Sequence, residues 1–296
     1  MTDKIGFIGL GIMGRPMALN LINAGYGLVV HARRKESMEP LVAAGATACT
    51  SPAAVARQAS MLFTMVSDTP DVEQVILGDD MASNAVIAGL QPGALVVDMS
   101  TISASATRII AERVRSAGAE MLDAPVSGGD VGAIAGTLSI MVGGSASAFE
   151  RARPLLEVMG KNIVHVGDCG AGQVCKACNQ VLISQTIAAV GEALLLAEAS
   201  GVDAAKVREA LLGGFANSRA LEIHGQRMLD QQYQPGFKSV LFQKDLRLVL
   251  EAAHELGLAL PGAAQAAQLV NALVGQDNGE LDSAAMFLSQ RRLNGL

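Results

Sequence analysis

Hydrophobic and polar positions change their pattern once along the chain. Up to about residue 166, short apolar runs alternate with stretches of helical periodicity, including 12–24 and 149–159. This alternation is typical of a parallel sheet that helices cover on both faces. The predicted strands are residues 5–9, 28–32, 47–49, 61–65, 95–99, 120–123, 138–142 and 163–166.

The second half of the chain has no good strand signal. One helical pattern runs from about residue 172 to 200. The sequence therefore predicts an α/β domain over residues 1–165 and an all-helical domain over residues 166–296, joined by this long helix. The other predicted helices of the second half are 203–213, 217–230, 239–256, 262–274 and 282–292.

Composition narrows the possible partners. The 296 residues carry a formal net charge of -6 at pH 7 without a basic stripe, so nucleic acid is not an expected partner. The amino terminus enters a strand directly, and no signal peptide is expected. No membrane span is predicted either, because the longest uncharged late stretch, 256–276, contains Pro261 and several amides. The expected location is the cytoplasm.

The cysteines and histidines lack the spacing of a metal site. Cys175 and Cys178 form a C-x-x-C, but no second pair accompanies them, and they fall inside the long helical pattern. They are interpreted as structural thiols, with a metal or redox role as the alternative. The four histidines have no obvious acidic partner and are also interpreted as structural. No metal is expected.

A glycine-rich motif follows the first predicted strand and opens a helix. In this context it predicts a Rossmann-type doubly wound sheet that binds a dinucleotide. The first glycine permits a tight turn, the second lets the backbone approach the pyrophosphate, and the third lets the helix pack on the strand. Backbone N–H groups at the helix start hold the phosphates. The motif comprises Gly9, Leu10, Gly11, Ile12, Met13 and Gly14.

The end of the second predicted strand indicates which dinucleotide is preferred. An acid there binds the ribose hydroxyls of NAD, whereas a cation accommodates the 2′-phosphate of NADP. Here the strand ends without an acid, and Arg33 and Arg34 follow. The sequence predicts NADP, with NAD as a possible cofactor. The alternative is that these arginines are solvated surface charges.

Two other strand ends carry groups suited to a small anion. The strand ending at Asp123 leads to Ser127, Gly128 and Gly129, which offer a hydroxyl and two unobstructed N–H groups for a carboxylate. A plain turn is the alternative. Thr101 ends the preceding strand similarly, with a helix cap as the alternative, and Ser103 is a further candidate cap.

Lys176 and Asn179 lie three residues apart on one face of the long helix. An isolated lysine on a helix is normally a solvated charge. Lys176, however, stands where the second domain begins and could face a cleft, and a lysine shielded from water can exchange protons near neutral pH. Lys244 stands beside Asp245, a pairing that by itself indicates a surface ion pair.

Four motifs together resemble the β-hydroxyacid dehydrogenase family over nearly the whole chain: 7–21, 123–129, 170–179 and 244–246. The resemblance implies that Lys176 is catalytic and that Asn179 neighbours the substrate. One departure is Gln180, where many members carry a second Asn. The residues that the resemblance implies at the substrate or nicotinamide are Thr101, Ser127, Gly128 and Gly129, and those at the cofactor are Met65, Val66 and Lys244.

Within the family, segments 212–219 and 221–228 favour members that reduce tartronate semialdehyde to D-glycerate. The implied substrate is a small aldehyde or hydroxyacid that bears a carboxylate, and the implied assembly is a homodimer or homotetramer. The enzymatic alternative is a dehydrogenase of 3-hydroxyisobutyrate, L-serine or another β-hydroxyacid. The alternative of another class is a non-catalytic dinucleotide-binding module on the same fold.

Overall fold

A computed structural model describes residues 4–79 and 84–296. The chain divides into two compact units, Met1–Lys176 (unit 1) and Ala177–Leu296 (unit 2). The division falls inside the long helix, whose first turn and a half belongs to unit 1. The sequence places the boundary just before this helix, at residues 165–166.

Unit 1 is built on one sheet, in which the first six strands have the order β3-β2-β1-β4-β5-β6 and are all parallel. This is the strand order of a dinucleotide-binding Rossmann sheet. The strands of the described chain are Lys4–Ile8 (β1), Leu28–His31 (β2), Thr47–Ala48 (β3), Ala59–Thr64 (β4), Leu95–Asp98 (β5), Glu120–Asp123 (β6), Val126–Ser127 (β7), Leu138–Gly143 (β8) and Gly160–Gly167 (β9).

The sheet is not parallel throughout, which differs from the sequence prediction. Strand β8 runs antiparallel to β6 and β7, and β9 then pairs with β8 in parallel. The reason is the connection after β6, which holds only the two-residue β7 and a seven-residue helix. It does not carry the chain back across the sheet, so β8 starts at the edge where β6 ends.

Helices cover both faces of the sheet because its strands send alternate apolar side chains to each face. In β4, Phe63 packs in one core and Leu62 in the other. Phe63 stacks on Phe7 of β1, with 6.0 Å between ring centroids. The helices of unit 1 are Gly14–Asn23 (α1), Glu39–Ala43 (α2), Pro52–Ala56 (α3), Thr69–Ile76 (α4), Ala104–Ser116 (α5), Gly129–Ala135 (α6) and Ala146–Met159 (α7).

Unit 2 is helical and has its own core, which includes Leu194, Phe242 and Phe287. Helix α8 begins in unit 1 and continues into unit 2. It is the only described helix long and apolar enough to span a bilayer, a property that core helices of soluble proteins share. The helices are Ala171–Ala199 (α8), Ala204–Leu212 (α9), Arg219–Leu229 (α10), Ser239–Glu255 (α11), Pro261–Leu273 (α12) and Met286–Leu293 (α13).

Unit 2 contains a buried carboxylate, Asp282, that binds several other residues of this unit. Asp282 is fully buried and lies 2.5 Å from the Arg227 guanidinium and 3.5 Å from His224, an acidic partner that the sequence did not reveal. It also accepts backbone hydrogen bonds from Phe237 and Ala284. Burial acts to raise the pKa of Asp282, but the hydrogen bonds from His224, Ala284, Arg227 and Phe237 outweigh it and hold the pKa below its usual range.

We expect Asp282→Asn to lower the free energy of unfolding by about 2–4 kcal/mol, because the Arg227 charge loses its partner. Since the native pKa is depressed, this contribution is present at neutral pH and is lost as the pH falls below the ordinary carboxyl pKa of about 4. Urea unfolding at neutral pH and again below about pH 4 measures this contribution to the free energy of unfolding. Glu280→Gln is the matched control: it removes an exposed ion pair with Lys238 and costs less than about 1 kcal/mol. Equal losses in both variants would contradict the assignment.

Candidate active site

The carboxyl ends of β1, β2 and β4 open into a cavity of about 800 Å³. This is the point at which successive connections leave the sheet in opposite directions, and open α/β sheets bind ligands there. The cavity brings together many of the residues that the sequence predicts for a dinucleotide site. These are Gly9, Leu10, Gly11, Arg33, Arg34, Met65 and Val66.

The three glycines of the motif meet different surroundings, and these surroundings fit a bound dinucleotide. Gly9 has φ +94°, and a Cβ there would lie 2.2 Å from the Met65 carbonyl oxygen. A Cβ on Gly14 would lie 2.0 Å from the Gly9 carbonyl oxygen, so the start of α1 rests directly on the turn. A Cβ on Gly11 would meet no atom within 4 Å. Backbone is therefore open to a ligand at Gly11, and no side chain caps α1 against a phosphate.

The motif's other residues are placed differently. Ile12 is 54% exposed, and neither Ile12, Met13 nor Gly14 lines the cavity. Gly14 is buried and serves the packing of α1 against the sheet, as the sequence predicts.

Two arginines line the cavity beyond the end of β2. Arg33 is exposed and lies 3.3 Å from the Asp71 carboxylate of α4. Arg34 and the buried Ser37 line the same cavity. Because β2 ends on His31 without an acid, the charges here suit a ribose that carries a 2′-phosphate, apart from the competing Asp71.

A buried polar network joins the ends of β4 and β5. Asp98 Oδ1 accepts hydrogen bonds from the Thr64 hydroxyl at 2.7 Å and from the Ser100 N–H at 3.2 Å. Ser100 Oγ in turn accepts from the Val66 N–H at 3.0 Å. Complete burial raises the pKa of Asp98 to about 6; the hydrogen bonds from Ser100 and Thr64 oppose the rise, and the nearby Asp123 adds to it. The network fixes the loop that carries Met65 and Val66.

The start of α8 is bound to the ends of β5 and β6. The Asp123 carboxylate accepts from the Gly170 N–H at 2.7 Å and from the Gln173 N–H at 2.9 Å. The Gln173 side chain donates to the Ser100 carbonyl at 2.8 Å and accepts from the Ile102 N–H at 3.1 Å. The pKa of Asp123 is raised by burial, and the hydrogen bonds from the Gly170 and Gln173 N–H groups only partly oppose this rise.

Lys176 lies one helical turn beyond Gln173 and is only 7% exposed. It is not the solvated surface charge that an isolated helical lysine usually is. Thr101 is half-buried. Its neighbours in the chain, Ser100 and Ile102, are the residues whose backbone groups bind the Gln173 side chain. Thr101 does not cap the next helix, because Ser103 does so by accepting from the Ala106 N–H, as predicted for Ser103.

The Ser127 loop leaves its two interpretations open. Ser127 ends β7, and Gly128 and Gly129 have φ values of +134° and +63°, conformations that favour glycine. Both a carboxylate cradle and a plain turn fit this backbone.

In unit 2, a hydrogen-bonded chain joins two of the predicted residues. The Asn179 amide donates to the Gln180 oxygen at 2.7 Å, and Gln180 donates to the buried Asp245 at 2.6 Å. Asp245 pairs with Lys244 at 2.7 Å, and the Lys244 side chain is only 12% exposed. This is not the exposed surface pair that the sequence alone indicates.

Sequence reasoning assigned no role to four residues of these networks. Each is an ordinary polar residue in the sequence, and its burial appears only in the fold. One signal was available: adjacent apolar strands both end in Asp, and a charged residue at a buried strand end requires partners. The four are Thr64, Asp98, Asp123 and Gln173.

The described residues contain no group of three His, Cys, Asp or Glu side chains that could hold a metal ion. Cys175 and Cys178 lie on α8, the first half-buried and the second exposed, and neither forms a disulfide with another described residue.

Two family models match this chain. That of the NAD-binding domain of 6-phosphogluconate dehydrogenase matches residues 4–167, and that of the NAD-binding region of NADP-dependent 3-hydroxyisobutyrate dehydrogenase matches residues 170–288. The 2-hydroxy-3-oxopropionate reductase of Escherichia coli is 47% identical over 283 residues, covering 96% of this chain and 95% of the relative. The NAD-dependent L-serine dehydrogenase of Pseudomonas aeruginosa is 40% identical, covering 94% and 95%.

Solved structures also resemble this chain over nearly its whole length. The 3-hydroxyisobutyrate dehydrogenase of Mycobacterium tuberculosis, with L-serine, superposes with a TM-score of 0.89 and 33% identity, covering 98% of this chain and 100% of that one. Psf3 in complex with NADP+ and 2-OPP gives a TM-score of 0.88 and 26% identity, covering 97% and 99%.

The fold, the glycine-rich turn at residues 9–14 (the glycine cradle) and these matches define an NAD(P)-dependent oxidoreductase. The chain belongs to the 3-hydroxyisobutyrate dehydrogenase-like family of β-hydroxyacid dehydrogenases. The resemblance that the four motifs indicated is confirmed, and so is the nicotinamide cofactor.

We expect Gly11→Ala to weaken NADPH binding by about 10-fold or more without loss of stability, because the new methyl enters ligand space and touches no protein atom. Fluorescence titration gives the Kd, and thermal unfolding without ligand gives the Tm. Gly14→Ala is the contrasting variant: its methyl meets the Gly9 carbonyl, so it lowers the Tm as well. An unchanged Kd for Gly11→Ala would exclude close approach of the cofactor at this glycine.

Proposed function

We propose that this enzyme reduces tartronate semialdehyde (2-hydroxy-3-oxopropanoate) to D-glycerate, with NADPH preferred to NADH and Lys176 as the general acid. The observation that carries the catalytic part is the placement of Lys176. Among the described residues it is the one buried lysine, and it lies on the anchored first turns of α8. The E. coli relative, a 2-hydroxy-3-oxopropionate reductase, supports the substrate.

When bound, the reduced nicotinamide supplies the hydride for the substrate carbonyl. Lys176 donates a proton to the carbonyl oxygen as negative charge develops there. Its burial supports this role, because an ammonium group shielded from bulk water interacts more strongly with an oxyanion than an exposed one does. In the reverse direction the neutral amine accepts the proton of the hydroxyacid.

The other predicted residues orient the reactants in this proposal. The Ser127 hydroxyl and the N–H groups of Gly128 and Gly129 bind the substrate carboxylate, which holds the carbonyl in one orientation. Asn179 hydrogen-bonds the substrate hydroxyl or Lys176, and Thr101 lies beside the substrate or nicotinamide.

Cofactor contacts are proposed at four places. The glycine cradle binds the pyrophosphate, and Met65 and Val66 also contact the cofactor. Arg33 and Arg34 bind the 2′-phosphate, supported by their place on the cavity wall. Lys244 adds a cation on the cofactor side. Its pairing with the buried Asp245 supports a fixed position rather than a mobile surface charge.

The family contains enzymes for other substrates, among them the L-serine dehydrogenase of P. aeruginosa. A dehydrogenase of 3-hydroxyisobutyrate or L-serine is therefore the second candidate.

A substrate panel tests the proposal. We expect kcat/KM with NADPH to be at least about 10-fold higher for tartronate semialdehyde than for methylmalonate semialdehyde, which carries a methyl in place of the hydroxyl. We also expect NADPH to exceed NADH. Preference for methylmalonate semialdehyde, or for oxidation of L-serine, would select the second candidate. Dinucleotide binding without turnover of any member would indicate a non-catalytic module.

Lys176→Ala tests the general acid. We expect kcat to fall by about 100-fold or more while the Kd for NADPH changes little. A small primary amine added to the assay should restore part of the rate, since it replaces the missing acid. Lys161→Ala, at an exposed lysine of β9, is the control and should keep wild-type turnover. Near-normal turnover of Lys176→Ala would remove this residue from the mechanism.

A further inference from the structure

We propose that Gln173 is a positioning residue of this enzyme, which with the Asp123 carboxylate sets the place of Lys176 relative to the loop that carries Thr101. This inference rests on the proposed role of Lys176.

The Gln173 side chain has both of its polar ends committed to one loop. Its Nε2 donates to the Ser100 carbonyl at 2.8 Å, and its Oε1 accepts from the Ile102 N–H at 3.1 Å. These two backbone groups flank Thr101. The side chain is 3% exposed, so water does not readily replace either bond. A glutamine supplies one donor and one acceptor at this length, whereas an ionised glutamate supplies no donor.

The main chain of the same residue is held from a second direction. Its N–H donates to the Asp123 carboxylate at 2.9 Å, and the Gly170 N–H donates to the other oxygen at 2.7 Å. The carboxylate at the end of β6 thus caps α8 in place of a local side chain, and its charge interacts favourably with the positive end of the helix. The anchors from β5 and β6 therefore meet at Gln173.

Close backbone packing prevents the helix start from shifting toward the sheet. A Cβ on Gly172 would lie 2.4 Å from the Met141 carbonyl oxygen, and one on Gly143 would lie 2.8 Å from the Gly172 nitrogen. The hydrogen bonds therefore act on a segment that already has one surface fixed. They determine its rotation and its slide along the remaining directions.

Lys176 responds to any change in this anchor. It follows Gln173 by three residues, about 4.5 Å along the helix axis and close to one full turn. Because a helical turn moves as a rigid element, rotation at Gln173 moves the Lys176 Cα with it. Misplacement of a catalytic group by about 1 Å can lower a rate by about 100-fold.

The principal test is Gln173→Met, which keeps the length of the side chain and removes both of its hydrogen bonds. We expect kcat to fall by about 10-fold or more, while the KM and the Kd for NADPH stay within about threefold of wild type. The matched control is Gln290→Met. Gln290 is also 3% exposed and also binds α8 by its side chain, through the Ala188 carbonyl at 2.8 Å, but far along the helix from Lys176.

The two variants separate positioning from general stability. Both should lower the Tm, but only Gln173→Met should lower kcat. If Gln173→Met keeps kcat within about threefold of Gln290→Met at equal Tm, the proposed role is refuted.

Gln173→Glu provides a pH readout. The protonated carboxyl can donate to Ser100, and the ionised form cannot, so kcat relative to wild type should fall as the pH rises from about 5 to about 8. Asp98, Asp123 and Arg108 lie near the start of α8 in both proteins, so comparison with wild type at each pH corrects for effects that these groups have in both. A ratio independent of pH would contradict the donor role of the side chain.

Amide hydrogen exchange tests the anchor without relying on turnover. Peptides covering residues 171–179 should exchange at least about 10-fold faster in Gln173→Met than in wild type or Gln290→Met. If the wild-type enzyme turned over no panel substrate, the proposed function would fail while this measurement still reported on Gln173. Unchanged exchange together with unchanged kcat would overturn the inference itself.

Discussion

The site in unit 1 depends on the hydrogen bonds that the Asp123 carboxylate accepts from the start of α8. It lies at the end of β6 and binds two N–H groups at the start of α8, a helix of 29 residues. Burying a carboxylate is costly unless its oxygens receive hydrogen bonds, and the helix start has unpartnered N–H groups that need an acceptor. Each therefore satisfies the other. Gly170, with φ +89°, gives the chain the turn that brings these N–H groups to the carboxylate.

Two aspartates at equivalent positions of neighbouring strands are both buried, and burial raises the pKa of both, but they bind different partners. Asp98 and Asp123 are paired in the register of β5 and β6. Asp98 receives a hydroxyl and one N–H, and its Oδ2 has no hydrogen-bond partner among the described residues. Burial consequently raises its pKa to about 6, so Asp98 holds a proton in mildly acidic solution. Asp123 binds the start of α8, whereas Asp98 binds Thr64 at the end of β4 and Ser100 after β5.

The strand ends of unit 1 thus have two roles: some form a ligand cavity, and others bind further parts of the protein. At β1, β2 and β4, glycines and small turns leave a cavity that fits a dinucleotide. At β5 and β6, buried carboxylates bind other parts of the protein. This division explains why the cofactor residues were readable from a motif while the positioning residues were not: a ligand cradle needs glycine at fixed spacing, but an anchor needs only some polar residue whose partner is elsewhere in the chain.

The sequence alone determined the order of the elements, the parallel core of the sheet, the glycine cradle and the family, because periodicity and local turn chemistry are written in neighbouring residues. It missed β7 and the antiparallel direction of β8, since a two-residue strand has no periodicity and strand direction depends on the path of the connection. Only the tertiary structure decided which polar groups meet. Gln173 binds a carbonyl 73 residues away, and Gly170 binds a carboxylate 47 residues away. No local pattern specifies such contacts, because they exist only once the folded sheet has brought its strand ends side by side.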